Sequence, residues 1–127
     1  MPKDYTAVIT GTARGIGREL AHTFASHGYS IWACARTPSA EHERELARLA
    51  EENGVWIKPL YFDMTDEAAR KAAVKEILDE KKNIDVLVNC AGMAHGGLFT
   101  MTRVEDIRQV FEVNLFSHMS LTQALLR

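Results

Sequence analysis

Apolar residues fall along this chain in short runs that alternate with longer stretches where they recur every three or four positions. The first run is Thr6-Ala7-Val8-Ile9-Thr10. It shows no polar alternation, the pattern of a strand buried on both faces. Ile16, Leu20 and Phe24 then recur at a spacing of four, with Ala21 and Ala25 beside them, and predict one apolar helix stripe. Gly28 stands where a glycine ends such a helix.

The alternation continues. Tyr29 to Ala35 predicts a second strand, stopped by Arg36-Thr37-Pro38. Ser39 is placed to cap a helix running to Asn53-Gly54, with Leu46, Leu49 and Ala50 inward. Val55 to Phe62 predicts a third strand, and its Pro59 places it at a sheet edge, where a missing N–H does least harm. Thr65 or Asp66 caps a helix reaching about Lys82, with Ala69, Ala73 and Ile77 inward. Ile84 to Asn89 is the fourth strand, and Cys90 to Gly97 is a loop of small residues. From about Arg103 to the end, Ile107, Val110, Phe111, Leu115, Met119, Leu121 and Leu125 predict a helix. It holds more apolar residues than one stripe needs, which predicts a second buried face. Strand and helix alternating in this way predict an α/β fold, a doubly wound parallel sheet with helices on both faces. No boundary divides residues 1–127, which read as one domain.

With 46% hydrophobic and 25% charged residues, the composition is that of a globular domain. A net charge of −2 supplies no basic field, so nucleic acid is not the expected partner. No apolar run approaches the ~18 residues of a membrane span, so no membrane partner is expected. Met1 to Tyr5 carries no signal-peptide core, which makes the cytoplasm the expected location. Cys34 and Cys90 fall in or just after apolar runs and read as reduced, buried thiols. The five histidines show no ligand-like spacing, so no metal is expected. His95 reads as a surface residue, though its loop could face a substrate.

The candidate chemistry lies where the first strand meets the first helix. Thr10-Gly11-Thr12-Ala13-Arg14-Gly15-Ile16-Gly17 is a glycine-rich turn at a helix N-terminus. Free backbone N–H groups and the positive end of the helix dipole make such a turn a phosphate site. Gly11 can make the tight turn, Gly15 can let a pyrophosphate approach, and Gly17 can let the helix pack closely on the sheet. The alternative is an ordinary glycine-rich turn. A P-loop is not expected, because no Gly-Lys-Ser/Thr follows. In an NAD site an acidic residue stands about 20 positions on, against the ribose hydroxyls. Here that place is Ala35-Arg36, and Arg14 is a second cation within the turn. Arginine can grip a 2′-phosphate through its planar fork, so the pair favours NADP(H) over NAD(H); the alternative is two solvated arginines.

These segments together resemble the short-chain dehydrogenase/reductase family, over essentially the whole chain. Thr10 to Gly17 fits its Thr-Gly-x-x-x-Gly-x-Gly turn, and Cys34-Ala35-Arg36 fits the NADP-preferring end of strand two. Asp63-Met64-Thr65 is similar to the Asp-Val-Thr after strand three, whose aspartate lies by the adenine. Asn89-Cys90-Ala91-Gly92 is similar to Asn-Asn-Ala-Gly after strand four, with Cys90 in place of the second Asn. Val113-Asn114-Leu115 is similar to Val-Asn-Leu of the long helix. The resemblance implies a Rossmann-type sheet of order 3-2-1-4-5 onward. It implies cofactor contacts from Thr10, Gly11, Ala13, Arg14, Gly15, Ile16, Gly17, Arg36, Asp63, Met64, Asn89, Ala91 and Gly92. It gives Asn114 a supporting place in a proton relay, through a water on its backbone carbonyl. Read without the resemblance, Asp63 is a helix cap, Asn89 a turn former and Asn114 a locally bonded amide.

The family's reaction is hydride transfer at a small-molecule carbonyl or alcohol, with a serine steadying the oxygen and the tyrosine of a Tyr-x-x-x-Lys pair as acid/base. Here Tyr5, Tyr29 and Tyr61 are followed in that register by Ile9, Ala33 and Thr65. The resemblance puts the serine and the Tyr-x-x-x-Lys pair beyond Asn114, past Arg127. The chain therefore reads as the cofactor half, truncated after four strands and the long helix, and inert alone. Two other readings stand beside it: a non-catalytic NADP(H)-sensing module, and an interaction fragment that binds no cofactor. The fourth strand, left as an open apolar edge, and the apolar last helix predict a homo-oligomer through either or both.

Overall fold

The structure, a computed structural model, describes residues 4–126. Met1 to Lys3, part of the segment read as lacking a signal-peptide core, and Arg127, the end of the predicted last helix, lie outside them. Strands β1 (Tyr5–Ile9), β2 (Tyr29–Ala35), β3 (Ile57–Tyr61) and β4 (Val86–Val88) form one parallel sheet in the order β3-β2-β1-β4. Helices α1 (Gly15–Ser26), α2 (Ala40–Asn53) and α3 (Glu67–Asp79) follow the first three strands. This is the predicted Rossmann-type order, with β3 at one edge as Pro59 required.

The unbroken apolar runs are explained by the two cores. Ala7, Ile9, Ile31 and Ala33 face Ala21, Ala25, Leu46 and Leu49 of α1 and α2. Val8, Trp32 and Cys34, the alternate positions, face Ala73, Val74 and Ile77 of α3, with Leu121. With both faces covered, every position of β1 and β2 from Thr6 to Ile9 and Ser30 to Ala35 is buried. Each large side chain among them contributes about 1.5–3 kcal/mol.

The helix caps follow local rules. Ser39 accepts from the His42 N–H at 3.2 Å, and Gly54, at φ +66°, ends α2 in the left-handed region. Asp66, rather than Thr65, caps α3 by accepting from the Ala69 N–H.

Several boundaries differ from the sequence reading. Ile16 is 74% exposed, so the buried stripe of α1 is Gly17, Ala21 and Ala25, whose small side chains let the helix lie close to the sheet. Helix α3 ends at Asp79, because the Lys81 N–H turns back to the Leu78 carbonyl and Lys81 takes φ +54°. Strand β4 pairs over three residues only, against Ala7 to Ile9. The last predicted helix is α4 (Val104–Phe111) and α5 (Ser117–Leu125), joined by a π-helical turn, Glu112–Phe116. Its backbone remains right-handed helical through both joins. The predicted second buried face is not buried within the described residues: Phe111, Leu115, Phe116 and Met119 are all exposed, since only Ser117, His118 and Leu121 turn inward. No helix of the described residues is long and apolar enough to cross a membrane.

Candidate nucleotide site

Parallel strands bring their C-terminal ends to one edge of the sheet, and the loops leaving them converge there. A cavity of about 660 Å³ opens at that edge. It is lined by Thr10 to Gly17 except Thr12, by Cys34 to Arg36, by Phe62 to Met64, by Cys90 to Met93, and by Gln109 and Val113.

The turn after β1 is held by close backbone approach. Gly11 has φ +72°, and a Cβ on it would stand 2.8 Å from the Ala91 Cα. A Cβ on Gly17 would collide with the carbonyl of Gly11. Gly17 therefore packs the start of α1 tightly against the turn at the end of β1. A Cβ on Gly15 would meet nothing within 4 Å, so the backbone there is open to the cavity. This is a cradle in which backbone N–H groups at the start of a twelve-residue helix are reachable by a phosphate.

At one end, Arg14, Arg36 and Asp63 line the same cavity. Arg36 stands 3.6 Å from Asp63, an exposed pair that adds little stability by itself. Asp63 Oδ1 accepts from both the N–H and the hydroxyl of Thr65, at 2.9 and 2.8 Å. These bonds, with Arg36 beside them, hold its carboxyl below the usual aspartate range. Asp63 thus shapes the loop rather than capping α3, and stays ionised. Cys34 lines the cavity but is buried, and burial pushes its thiol up to about 12, which rules out a thiolate at neutral pH.

At the other end, Thr10 fastens β1 to the loop after β4. Its hydroxyl accepts from the N–H groups of Cys90 and Ala91, both at 3.0 Å, and donates to Val88. Asn114, in the π-helical turn, bonds twice to Met93: its Oδ1 accepts from the N–H at 2.8 Å and its Nδ2 donates to the carbonyl at 2.7 Å. A π turn inside an α-helix commonly marks a functional position, and here it aims Asn114 at the loop. His118 Nε2 lies 2.5 Å from the Ala91 carbonyl, a third tie on that loop. Asn89 turns its amide to the Thr122 hydroxyl, 3.1 Å away on α5, and does not line the cavity.

Comparison with known proteins decides the family. The family model for short chain dehydrogenases matches residues 5–127. The chain belongs to the short-chain dehydrogenase family. It is 35% identical to dehydrogenase/reductase SDR family member 7B of Rattus norvegicus, over 98% of this chain and 39% of that protein. It is 37% identical to the NADPH-dependent 3-dehydrocapnine reductase of Ornithobacterium rhinotracheale, over 94% of this chain and 41% of that one. Among solved structures, L-sorbose reductase from Gluconobacter frateurii, complexed with NADPH and L-sorbose, superposes with a TM-score of 0.88 at 27% identity, covering 97% of this chain and 46% of that one. A 3-oxoacyl-[acyl-carrier protein] reductase from Brucella melitensis, in complex with NAD, gives 0.86 at 27% identity, covering 99% and 49%. The chain spans about two fifths of the length of the curated relatives it matches.

Within this short-chain dehydrogenase scaffold, every expected cofactor contact except Asn89 lines one cavity. Asn114 lies outside the lining and acts on Met93. The sequence reading did not find Phe62, Gln109 and Val113 as lining residues, nor Thr12, His42 and His118 as buried polar partners. Buried polar side chains in helices give no sequence signal beyond standing on an apolar face. His42 stands four positions before Leu46 and showed that much.

Proposed function

We propose that this chain is the NADP(H)-binding part of a short-chain dehydrogenase whose full-length parent transfers hydride between NADPH and a carbonyl or alcohol substrate. The observation that carries the reading is that Arg14 and Arg36 line the same cavity as the glycine turn, with no carboxylate at the position after β2. The open backbone around Gly15 fits a pyrophosphate, and the two guanidiniums fit a 2′-phosphate. NADP(H), rather than NAD(H), is the cofactor this donor set favours. When bound, its nicotinamide gives or takes the hydride. The chain's own residues bind and orient: the turn holds the phosphates, Asp63 with Arg36 borders the adenosine end, and Asn114 holds Met93 and the Ala91-Gly92 loop beside them. The acid/base Tyr-x-x-x-Lys pair is not among these 127 residues, so the chain alone is expected to turn over no substrate. We propose also that β4 and the exposed α4–α5 face join copies of the chain.

Fluorescence titration with NADPH and NADH tests the reading. The 2′-phosphate contacts are expected to tighten NADPH binding over NADH by about tenfold or more, the scale of one or two charged hydrogen bonds. Absence of saturable binding by either nucleotide would overturn it, and robust turnover of ketones by the purified chain would overturn its inert part.

A further inference from the structure

A string of buried polar groups runs behind the cavity wall, from the glycine turn to the edge strand. Thr12 is 1% exposed. Its backbone N–H and its hydroxyl both donate to the Cys34 carbonyl, at 3.0 and 3.1 Å. His42 Nε2 lies 3.1 Å from the same hydroxyl, and His42 Nδ1 lies 2.8 Å from the Tyr61 hydroxyl. The Thr12 hydrogen is committed to Cys34, so its oxygen is the acceptor and His42 carries its proton on Nε2. Nδ1 then accepts from the Tyr61 O–H. Burial lowers the imidazole pKa against the pull of Glu45 and Glu43 on its own helix, and so keeps it neutral. Each group along the string has a partner of the right polarity.

The string ties together the segments that carry the cations. Thr12 stands two positions before Arg14, Cys34 two before Arg36, and Tyr61 two before Asp63. We propose that the Thr12–His42–Tyr61 string sets the gap between Arg14 and Arg36 and is thereby a positioning device for recognition of the cofactor's 2′-phosphate. This rests on the NADP(H) reading above. A pyrophosphate is held by backbone donors of one segment, the turn. A 2′-phosphate gripped by two arginines on separate segments needs those segments at a fixed separation. The two hydrogen bonds from Thr12 to the Cys34 carbonyl supply that tie, His42 keeps the Thr12 hydroxyl turned toward Cys34, and Tyr61 keeps the His42 tautomer.

The test is the dissociation constant for NADPH and for NADH in the wild-type chain and in Thr12→Val, Thr12→Ser and Tyr61→Phe, with folding of each checked by circular dichroism. Losing one hydrogen bond of the string is expected to weaken NADPH binding by about 5- to 10-fold in Thr12→Val and Tyr61→Phe. NADH binding moves by about twofold or less, and Thr12→Ser, which keeps the hydroxyl, restores NADPH affinity. The double variant Thr12→Val/Tyr61→Phe is no weaker than the worse single one, because the two act through one imidazole. Equal weakening of both nucleotides would make the string merely structural and overturn the proposal, as would unchanged NADPH affinity. Should Thr12→Val not fold, Tyr61→Phe, which removes one half-buried oxygen, decides alone. A wild-type chain that binds neither nucleotide overturns the NADP(H) reading itself, a result distinct from the others.

Discussion

Thr10→Val isolates how the glycine turn is fastened to β4. Thr10 is fully buried, and its hydroxyl serves three backbone groups: it accepts from the Cys90 and Ala91 N–H groups and donates to the Val88 carbonyl. Valine keeps the branched shape and removes the oxygen. The Cys90 N–H retains the Val88 carbonyl at 3.1 Å, so the Ala91 N–H is the group left stranded. Stranding this part-buried donor costs about 1–3 kcal/mol, and the weakened bonds at Cys90 and Val88 add about 1 kcal/mol. The expected loss is therefore about 2–4 kcal/mol. Thr10→Ser keeps the oxygen and deletes a methyl group, for about 1 kcal/mol. Urea unfolding followed by tryptophan fluorescence reads this directly, since Trp32 is buried and Trp56 half-buried. With a slope of about 2 kcal/mol per M, the midpoint falls by about 1–2 M in Thr10→Val and by about 0.5 M in Thr10→Ser. A valine variant with the wild-type midpoint, or a serine variant as weak as the valine one, would refute the reasoning.

Glu45 accepts from Arg18 Nε at 2.7 Å and pairs with His22 at 2.9 Å, tying α2 to α1, and the Arg18 bond chiefly holds its carboxyl at about 2. A carboxyl depressed by folding stabilises above its unfolded value near 4.5 and loses that contribution as pH falls toward about 2. Glu45→Gln is therefore expected to lose about 1–2 kcal/mol at pH 7, allowing for solvent screening, and only a few tenths of a kcal/mol at about pH 2, where the carboxyl is half protonated, read as urea midpoints at both pH values. Light scattering at micromolar concentration is expected to give a dimer or larger species, through β4 or the exposed Phe111, Leu115, Phe116 and Met119 face; a monomer mass would count against it.

What was legible in the sequence was whatever one residue type decides locally. The runs of β1 and β2 are apolar at every turn of the pleat because both faces are covered, so the pattern alone reports a buried parallel strand. Ser39, Gly54 and Pro59 behave as cap, helix end and edge marker because each acts on its own few residues. The errors fall where tertiary context decides. Ile16 has the right spacing for the α1 stripe, yet it sits in the first turn at the sheet edge and faces the cavity. The apolar pattern from about Arg103 predicts one helix to the end, but its π turn carries no composition signal and inserts the shift that aims Asn114 at Met93.

The candidate site divides along the same line. Apart from Gln109 and Val113, its lining residues stand within a few positions of strand ends, and a parallel sheet of this order must bring those ends together, so the sequence alone places Arg36, Asp63 and Gly92 beside the glycine turn. It does not show the bonds that hold them there. Thr10 reaches Ala91 and Thr12 reaches His42 across long stretches of chain, between side chains whose local roles are a strand end, a turn and a helix face. A hydroxyl at position 10 or 12 is unremarkable until the N–H or imidazole facing it is known. Both hydroxyls are buried and both are fully engaged, so the turn is fastened on its protein side and open to the cavity along Ala13 to Ile16. That asymmetry suits the phosphate binding proposed above, because donors already fixed in place cost little to order when an anion binds.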